Sequence, residues 1–207
     1  MERLEEPPEG YSEYQEYTIP EKWILGIVLA LTFVLGELFF PGSALWLYNQ
    51  VNNDLTGLIE SSAHELLFIT GMVAVHETIH YFMGWKQGHN PTFGIRLLDS
   101  VWILKEPTPY VATFNEHITR NENITSLIAP LFVIDAMALI SLLPIFPATV
   151  TYYAKIALAV NTASSMQDVY NVARLIRMSE EAKFINVIED EIRSYYCTPL
   201  PEQSTSQ

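Results

Sequence analysis

Four long apolar segments constrain the fold of this chain more than any other feature. They are separated by polar stretches and run from about Trp23 to Phe40, Leu66 to Trp85, Ile124 to Phe146 and Thr149 to Ile176. Each is close to the roughly 20 residues that a helix needs to cross a bilayer. The fourth is the weakest, because it turns polar from Asn161 onward. We therefore predict an all-α polytopic membrane protein with about four transmembrane helices, and the alternative is a soluble helical bundle with unusually apolar helices.

Composition and charge exclude one class of partner. Charged residues make up only 17% of the chain, and its formal net charge is −13. Nucleic-acid phosphates require a basic surface, so we expect no nucleic-acid partner. Much of the acid lies near the ends, and we interpret residues 1–22 and 177–207 as acidic, partly disordered tails around a membrane-embedded domain of residues 23–176. An acidic balance with few lysines also resembles the proteins of salt-loving archaea, which suggests such a source.

The lysines and arginines predict the orientation in the membrane. Lysines and arginines lie just before the first segment, within the loop between the second and third segments, and near the end of the fourth. Residues 41–65 contain none. Basic loops stay inside, so we expect a multi-pass cell-membrane protein with both termini and the Lys86–Asn123 loop in the cytoplasm. In that loop Phe93–Leu98 and Val101–Leu104 predict a small β-hairpin. It is either an ordinary surface hairpin or a strand edge that holds an extended peptide by main-chain hydrogen bonds.

The second segment carries the motif H-E-x-x-H, formed by His76, Glu77 and His80. Histidines four residues apart share one face of a helix and can reach one metal ion, usually zinc. Glu77 lies beside such an ion, where it can accept a proton from the attacking water. The alternative is that both histidines are ordinary polar residues near a helix end. Cys197 is the sole cysteine, which excludes a cysteine-based zinc site.

A catalytic zinc site of this type needs a third protein ligand. Because the second segment is expected to run from outside to inside, that ligand should come from near the cytoplasmic side. The candidates are Asp168 on the fourth segment and four residues of the loop, His89, Glu106, Glu116 and His117. Asp168 is favoured, because it ends a polar stripe that spans about 100° of a helical wheel. Polar groups at membrane depth usually face the bundle interior. The stripe comprises Asn161, Ser164, Ser165 and Asp168.

The ordered combination of three motifs resembles a known family. His76-Glu77-x-x-His80, Ala129-Pro130-Leu131 and Asn161-x-x-Ser164-x-x-x-Asp168 resemble the putative zincin peptidase family of membrane proteins, which is similar to the site-2 protease clan of intramembrane metalloproteases. The resemblance covers about residues 71–176 and implies His76, His80 and Asp168 as zinc ligands and Glu77 as the catalytic acid/base. Where the site-2 protease pattern has glycine after the third ligand this chain has Val169, and it has Ser164 where that pattern has a proline. These departures argue against regulated signalling proteolysis.

The expected function is a membrane-embedded zinc-dependent peptidase that hydrolyses a peptide bond in or near the lipid bilayer, in a membrane protein or peptide substrate. Asn161 would hydrogen-bond the oxyanion or orient the substrate. Two alternatives stay open, a non-catalytic metal-binding membrane adaptor and a metal-dependent hydrolase of a lipid. Glu37 and Asp135 also lie within apolar segments, where each either lines the site or pairs elsewhere in the bundle.

Overall fold

The computed structural model describes residues 6–53, 55–99, 105–188 and 192–201. This part of the chain is mostly helical and contains two small β-sheets. The helical class is as expected from the sequence. The four-stranded sheet was not expected, and three of its strands lie where the sequence indicated partly disordered tails.

The apolar segments form helices, but they yield fewer candidate spans than the sequence suggested. Among the described residues, α4 (Ala63–Lys86) and α5 (Arg120–Ser141) are long and apolar enough to cross a membrane. A third candidate is a bent pair, in which α1 (Glu21–Phe39) and α2 (Ser43–Asn53) meet at 109°. The bend falls at Pro41-Gly42, where Gly42 has a φ of +84° that favours glycine. A further short helix, α3 (Leu55–Ser61), occupies what the sequence predicted to be a loop.

The fourth apolar segment is divided into two helices, α6 (Ala148–Ser164) and α7 (Met166–Leu175). The division falls in the polar stripe, at Ser165, whose φ of −71° is helical but whose ψ of 0° departs from the value of about −42° in a regular helix. The Ser164 hydroxyl donates to the Asn161 carbonyl at 3.1 Å, a local bond that competes with regular helix hydrogen bonding. Neither helix qualifies as a candidate span by itself, so the four-span topology stays a prediction.

The described residues group into two compact units. The helical unit comprises Pro20–Ile79 and Ile128–Tyr170, and the mixed unit comprises Met1–Ile19, His80–Leu127 and Asn171–Gln207. Helices α4, α5 and α7 each continue from one unit into the other. The tail and membrane-domain boundaries stay a prediction, because contacts within a unit do not show where a bilayer would lie.

The core of the helical unit is formed where α4, α5 and α6 pack together. Met72, Ile134, Ala138 and Ala157 are buried there, and larger side chains surround them. Two of the four are alanines, which allow helices to approach closely. Polar side chains of these three helices and of α7 form the candidate site.

The mixed unit contains a four-stranded antiparallel sheet with the order β1-β6-β5-β4. Its strands are β1 (Gln15–Glu16), β4 (Ile118–Thr119), β5 (Lys183–Ile188) and β6 (Ile192–Cys197). Phe184, Ile185 and Cys197 are at most 3% exposed. Burying one such large apolar side chain contributes about 1.5–3 kcal/mol, which offsets the entropy lost on ordering the chain. The disorder expected in the tails is therefore wrong for β1, β5 and β6.

The loop between α4 and α5 contains a β-hairpin whose first strand is the expected one, whereas its second strand begins later in the chain than the expected one. Its strands are β2 (Pro91–Asp99) and β3 (Lys105–Thr113), which pair antiparallel. The Tyr110 ring lies over its cross-strand neighbour Gly94, which has no side chain of its own. The expected strand Val101–Leu104 lies outside the described residues, and the cytoplasmic location of the loop stays a prediction.

Candidate metal centre

Helix α4 carries all three residues of the H-E-x-x-H motif. The helix ends at Lys86, and the turn after it includes Gly88 with a φ of +90°, a common way to end a helix. His76 is buried, whereas Glu77 and His80 are half-buried. His80 is one turn further along than His76, so the helix itself fixes the two imidazoles on one face. Glu77 is about 100° around the axis from His76 and about 60° from His80, beside that face.

Asp168 lies in the first turn of α7, and its Oδ2 is 3.4 Å from Nε2 of His76. Together with His80, these residues offer one ligand atom each, all within 4.8 Å of one another. The sequence predicted this grouping from helical spacing and the resemblance.

The Nδ1 atom of His80 is held by the main chain of α5. It lies 2.9 Å from the carbonyl oxygen of Ser126. A carbonyl oxygen only accepts hydrogen bonds, so Nδ1 carries the proton and donates it. In a neutral imidazole the lone pair is then on Nε2, the nitrogen that faces a metal.

Pro130 explains why this carbonyl can serve the histidine. In a regular helix the carbonyl of Ser126 would accept from the N–H of residue 130, but proline has no N–H. Pro130 lies inside α5 and is fully buried. Pro130 thus leaves the Ser126 carbonyl free to accept the hydrogen bond from His80. The sequence singled out Pro130 within a family motif but not this role, which a proline inside an apolar helix could have indicated.

The Nδ1 atom of His76 is held by a side chain of α6. It lies 3.0 Å from Oδ1 of Asn161, which is 1% exposed. The other end of this amide donates to Oδ1 of Asp135 at 2.8 Å and points to the carbonyl of Pro130 at 3.5 Å. Because both of those partners only accept, the amide nitrogen faces them and the amide oxygen faces His76. His76 is therefore protonated on Nδ1, like His80, and presents Nε2.

The donor set fits zinc. Two imidazole nitrogens and a carboxylate oxygen are the ligands of many catalytic zinc sites. Zinc bond lengths of about 2.0–2.2 Å place neighbouring ligands of a tetrahedral site about 3.3–3.5 Å apart. The 3.4 Å separation of His76 Nε2 from Asp168 Oδ2 agrees with this value. Histidine ligands also usually donate their other ring N–H to an acceptor, as both do here.

The other candidate ligands make contacts of their own in the mixed unit. His89 Nδ1 is 3.0 Å from Glu116 Oε2, and its Nε2 is 3.6 Å from Glu122 Oε2. Its two nitrogens thus face separate carboxylates, not a shared ion. His117 Nε2 is 2.5 Å from the Tyr14 hydroxyl. The side chain of Glu106 lies outside the described part of the chain.

The two further acids of the apolar segments have different surroundings. Glu37 accepts hydrogen bonds from Gly42 N, Ser43 Oγ and Ala44 N, which satisfies the first turn of α2. Asp135 contacts Asn161 and, through its second oxygen, the Thr162 hydroxyl at 2.8 Å. Asp135 is therefore linked to His76 of the motif through one intervening residue, Asn161.

A family model described as putative zincin peptidase matches residues 69–183 of the chain. The match includes the motif, Pro130, Asp135, Asn161 and Asp168. No curated protein and no solved structure gives a significant match.

Proposed function

The chain belongs to the putative zincin peptidase family, and on this premise we propose that it is a membrane-embedded zinc peptidase that cleaves peptide bonds in or near the bilayer. Membership makes it a metallopeptidase in general terms and implies zinc as its cofactor. The observation that supports a working centre is the convergence of His76, His80 and Asp168 within 4.8 Å, with both histidines presenting Nε2.

We assign the three converging residues as zinc ligands and Glu77 as the general base. Zinc at such a site supplies a Lewis acid for the scissile carbonyl and lowers the pKa of the attacking water. Glu77 lies beside the ligand face, where its carboxylate accepts the proton of that water and passes it to the leaving amine. The reaction balances, because water adds across the C–N bond and yields one carboxyl and one amino end.

The contacts of Asn161 support a different role from the one suggested by the sequence alone. Its amide nitrogen is directed at Asp135 and Pro130, and its oxygen at His76. A donor that is already engaged and 1% exposed is poorly placed to bind an oxyanion. We therefore propose that Asn161 positions His76 in place of contacting the substrate.

The surfaces of α4 and α5 support a membrane location. Many large apolar side chains on both helices are exposed, and extensive exposed apolar surface marks a membrane or protein contact. Examples are Leu66, Leu67, Val75, Phe82, Phe132, Met137 and Leu139. We propose that α1, α4, α5 and α6 cross the bilayer with both termini in the cytoplasm. At 17 residues, α6 is at the lower limit of a span.

The experiment compares wild type with Glu77→Gln on single-span reporter proteins in lipid nanodiscs. The amide has the shape of the acid but cannot accept the proton, so zinc content should be unchanged while turnover falls by about 100-fold or more. The control is Glu37→Gln, which alters another acid of an apolar helix and should keep turnover.

Equal cleavage by Glu77→Gln and wild type, with zinc in both, would remove Glu77 as the base. A wild type that binds zinc but cleaves no reporter would favour the adaptor. Release of fatty acid from the nanodisc lipids, with intact reporters, would favour a lipid substrate.

A further inference from the structure

Asp135 is a carboxylate on an apolar helix, a costly placement that calls for a partner. Each of its oxygens accepts one hydrogen bond from α6, Oδ1 from the Asn161 amide and Oδ2 from the Thr162 hydroxyl, both at 2.8 Å. The Asn161 contact continues to His76, whereas the Thr162 contact belongs to Asp135 alone. Oδ1 of Asp135 is thus linked to the metal centre through Asn161, whereas its Oδ2 makes only a local hydrogen bond.

The Asn161 amide can in principle lie in two orientations that differ by a 180° rotation. In the observed one, Nδ2 donates to Asp135 and Oδ1 accepts from Nδ1 of His76 at 3.0 Å. In the reverse one, Nδ2 would donate to Nδ1 of His76, which would move the imidazole proton to Nε2. A protonated Nε2 cannot bind a metal, so the reverse orientation would block the ligand atom.

We infer that Asp135 is a positioning residue that fixes the Asn161 amide and thereby holds His76 in the tautomer that binds zinc. Its carboxylate oxygen accepts hydrogen bonds only and interacts unfavourably with the amide oxygen, so it selects one amide orientation. The carbonyl of Pro130, at 3.5 Å, is too distant to make that selection alone. The inference rests on the proposed function only in taking His76 as a zinc ligand.

The first test reads the tautomer directly in zinc-free protein. Nitrogen-15 spectra of labelled histidine are recorded at pH 8 in an Asp168→Ala background, because the Asp168 carboxylate lies 3.4 Å from Nε2 of His76 and would otherwise compete for the ring proton. In this background His76 should carry its proton on Nδ1, and Asp135→Leu should shift it toward Nε2. His80 is an internal control, because its Nδ1 is held by the Ser126 carbonyl and should not change.

The second test measures zinc affinity by competition with a chelator. Asp135→Leu should weaken binding by roughly 10- to 100-fold, the usual effect of losing a partner behind a ligand. Asp135→Asn can still accept from Asn161 through its amide oxygen, and it should lose less than about tenfold. Thr162→Val is the matched control, since it removes the other hydrogen bond of the same carboxylate and should keep wild-type affinity.

The coupling between substitutions at Asp135 and Asn161 distinguishes a positioning role from a general loss of stability. If Asp135 acts through Asn161, Asp135→Leu should weaken zinc binding little further in an Asn161→Ala background. Should Asp135→Leu fail to fold, as judged by circular dichroism, Asp135→Ala takes its place in each comparison.

The inference is overturned if His76 keeps its tautomer and zinc affinity stays within about twofold of wild type in the Asp135 variant. It is also overturned if Thr162→Val causes an equal loss, or if the Asp135 and Asn161 effects simply add. A wild type that binds no zinc would contradict the proposed function, while the tautomer comparison would still decide the role of Asp135.

Discussion

Replacing Asp168 with alanine should lower zinc affinity by about two orders of magnitude. Zinc sites with four protein ligands bind with about 10–16 kcal/mol, or roughly 2.5–4 kcal/mol for each ligand, and 1.4 kcal/mol is a tenfold change. The side chains of Asp168 and His76 are only 16% and 11% exposed, so water screens their interactions weakly. With two histidines left, the loss in zinc-binding free energy should be about 2.5–4 kcal/mol.

The assay is zinc competition with a chelator on purified protein, and it requires no substrate. Glu116→Ala and His89→Ala are the controls, because the sequence offered both residues as alternative ligands and both contact each other instead. Each should bind zinc within about twofold of wild type. Full affinity in Asp168→Ala, together with a loss in either control, would refute the ligand assignment.

Three further predictions concern α5, the loop before it and the topology. Pro130→Ala restores an N–H that competes with His80 for the Ser126 carbonyl. Zinc affinity should therefore fall about tenfold, while the melting temperature of the zinc-free protein should not fall. A fall in both zinc affinity and melting temperature would contradict this. Hydrogen bonds from Asn90 and His89 hold the pKa of the Glu116 carboxyl below its usual range. Its contribution to stability is therefore present above the unfolded-state pKa of about 4.3 and is lost as the pH falls through the lower, folded-state pKa. Unfolding measured against pH should show a shallower acid decline for Glu116→Gln, and an identical decline would count against it. A single cysteine at position 100 should resist labelling by an impermeant reagent from outside intact cells, and labelling from outside would reverse the orientation.

The convergence of His76, His80 and Asp168 could be predicted from sequence because its signals are local. His76 and His80 lie on one helical turn, and Asp168 ends a polar stripe that the backbone keeps nearly helical through Ser165. The hydrogen bonds from Ser165 N to Asn161 O and from Val169 N to Ser165 O, both 2.9 Å, show this continuity. A helical wheel drawn across this break therefore still placed Asp168 on the same side as Asn161, near the histidines.

The residues behind the ligands could not be predicted in the same way. The His76–Asn161 hydrogen bond joins residues 85 positions apart, and the His80–Ser126 bond joins residues 46 apart. No local period encodes such pairs, since they depend on how separate helices pack. The β5–β6 sheet was missed for another reason, because the tail was judged by its charge and not by the apolar residues around Phe184.

X-ray absorption at the zinc edge of the loaded wild-type protein tests the metal centre most directly. We predict nitrogen and oxygen atoms at about 2.0–2.2 Å from the zinc, together with the outer-shell scattering of two imidazoles. In His80→Ala the scattering of one imidazole should be lost. A sulfur neighbour at about 2.3 Å, or a single imidazole in the wild type, would contradict a centre built from His76, His80 and Asp168.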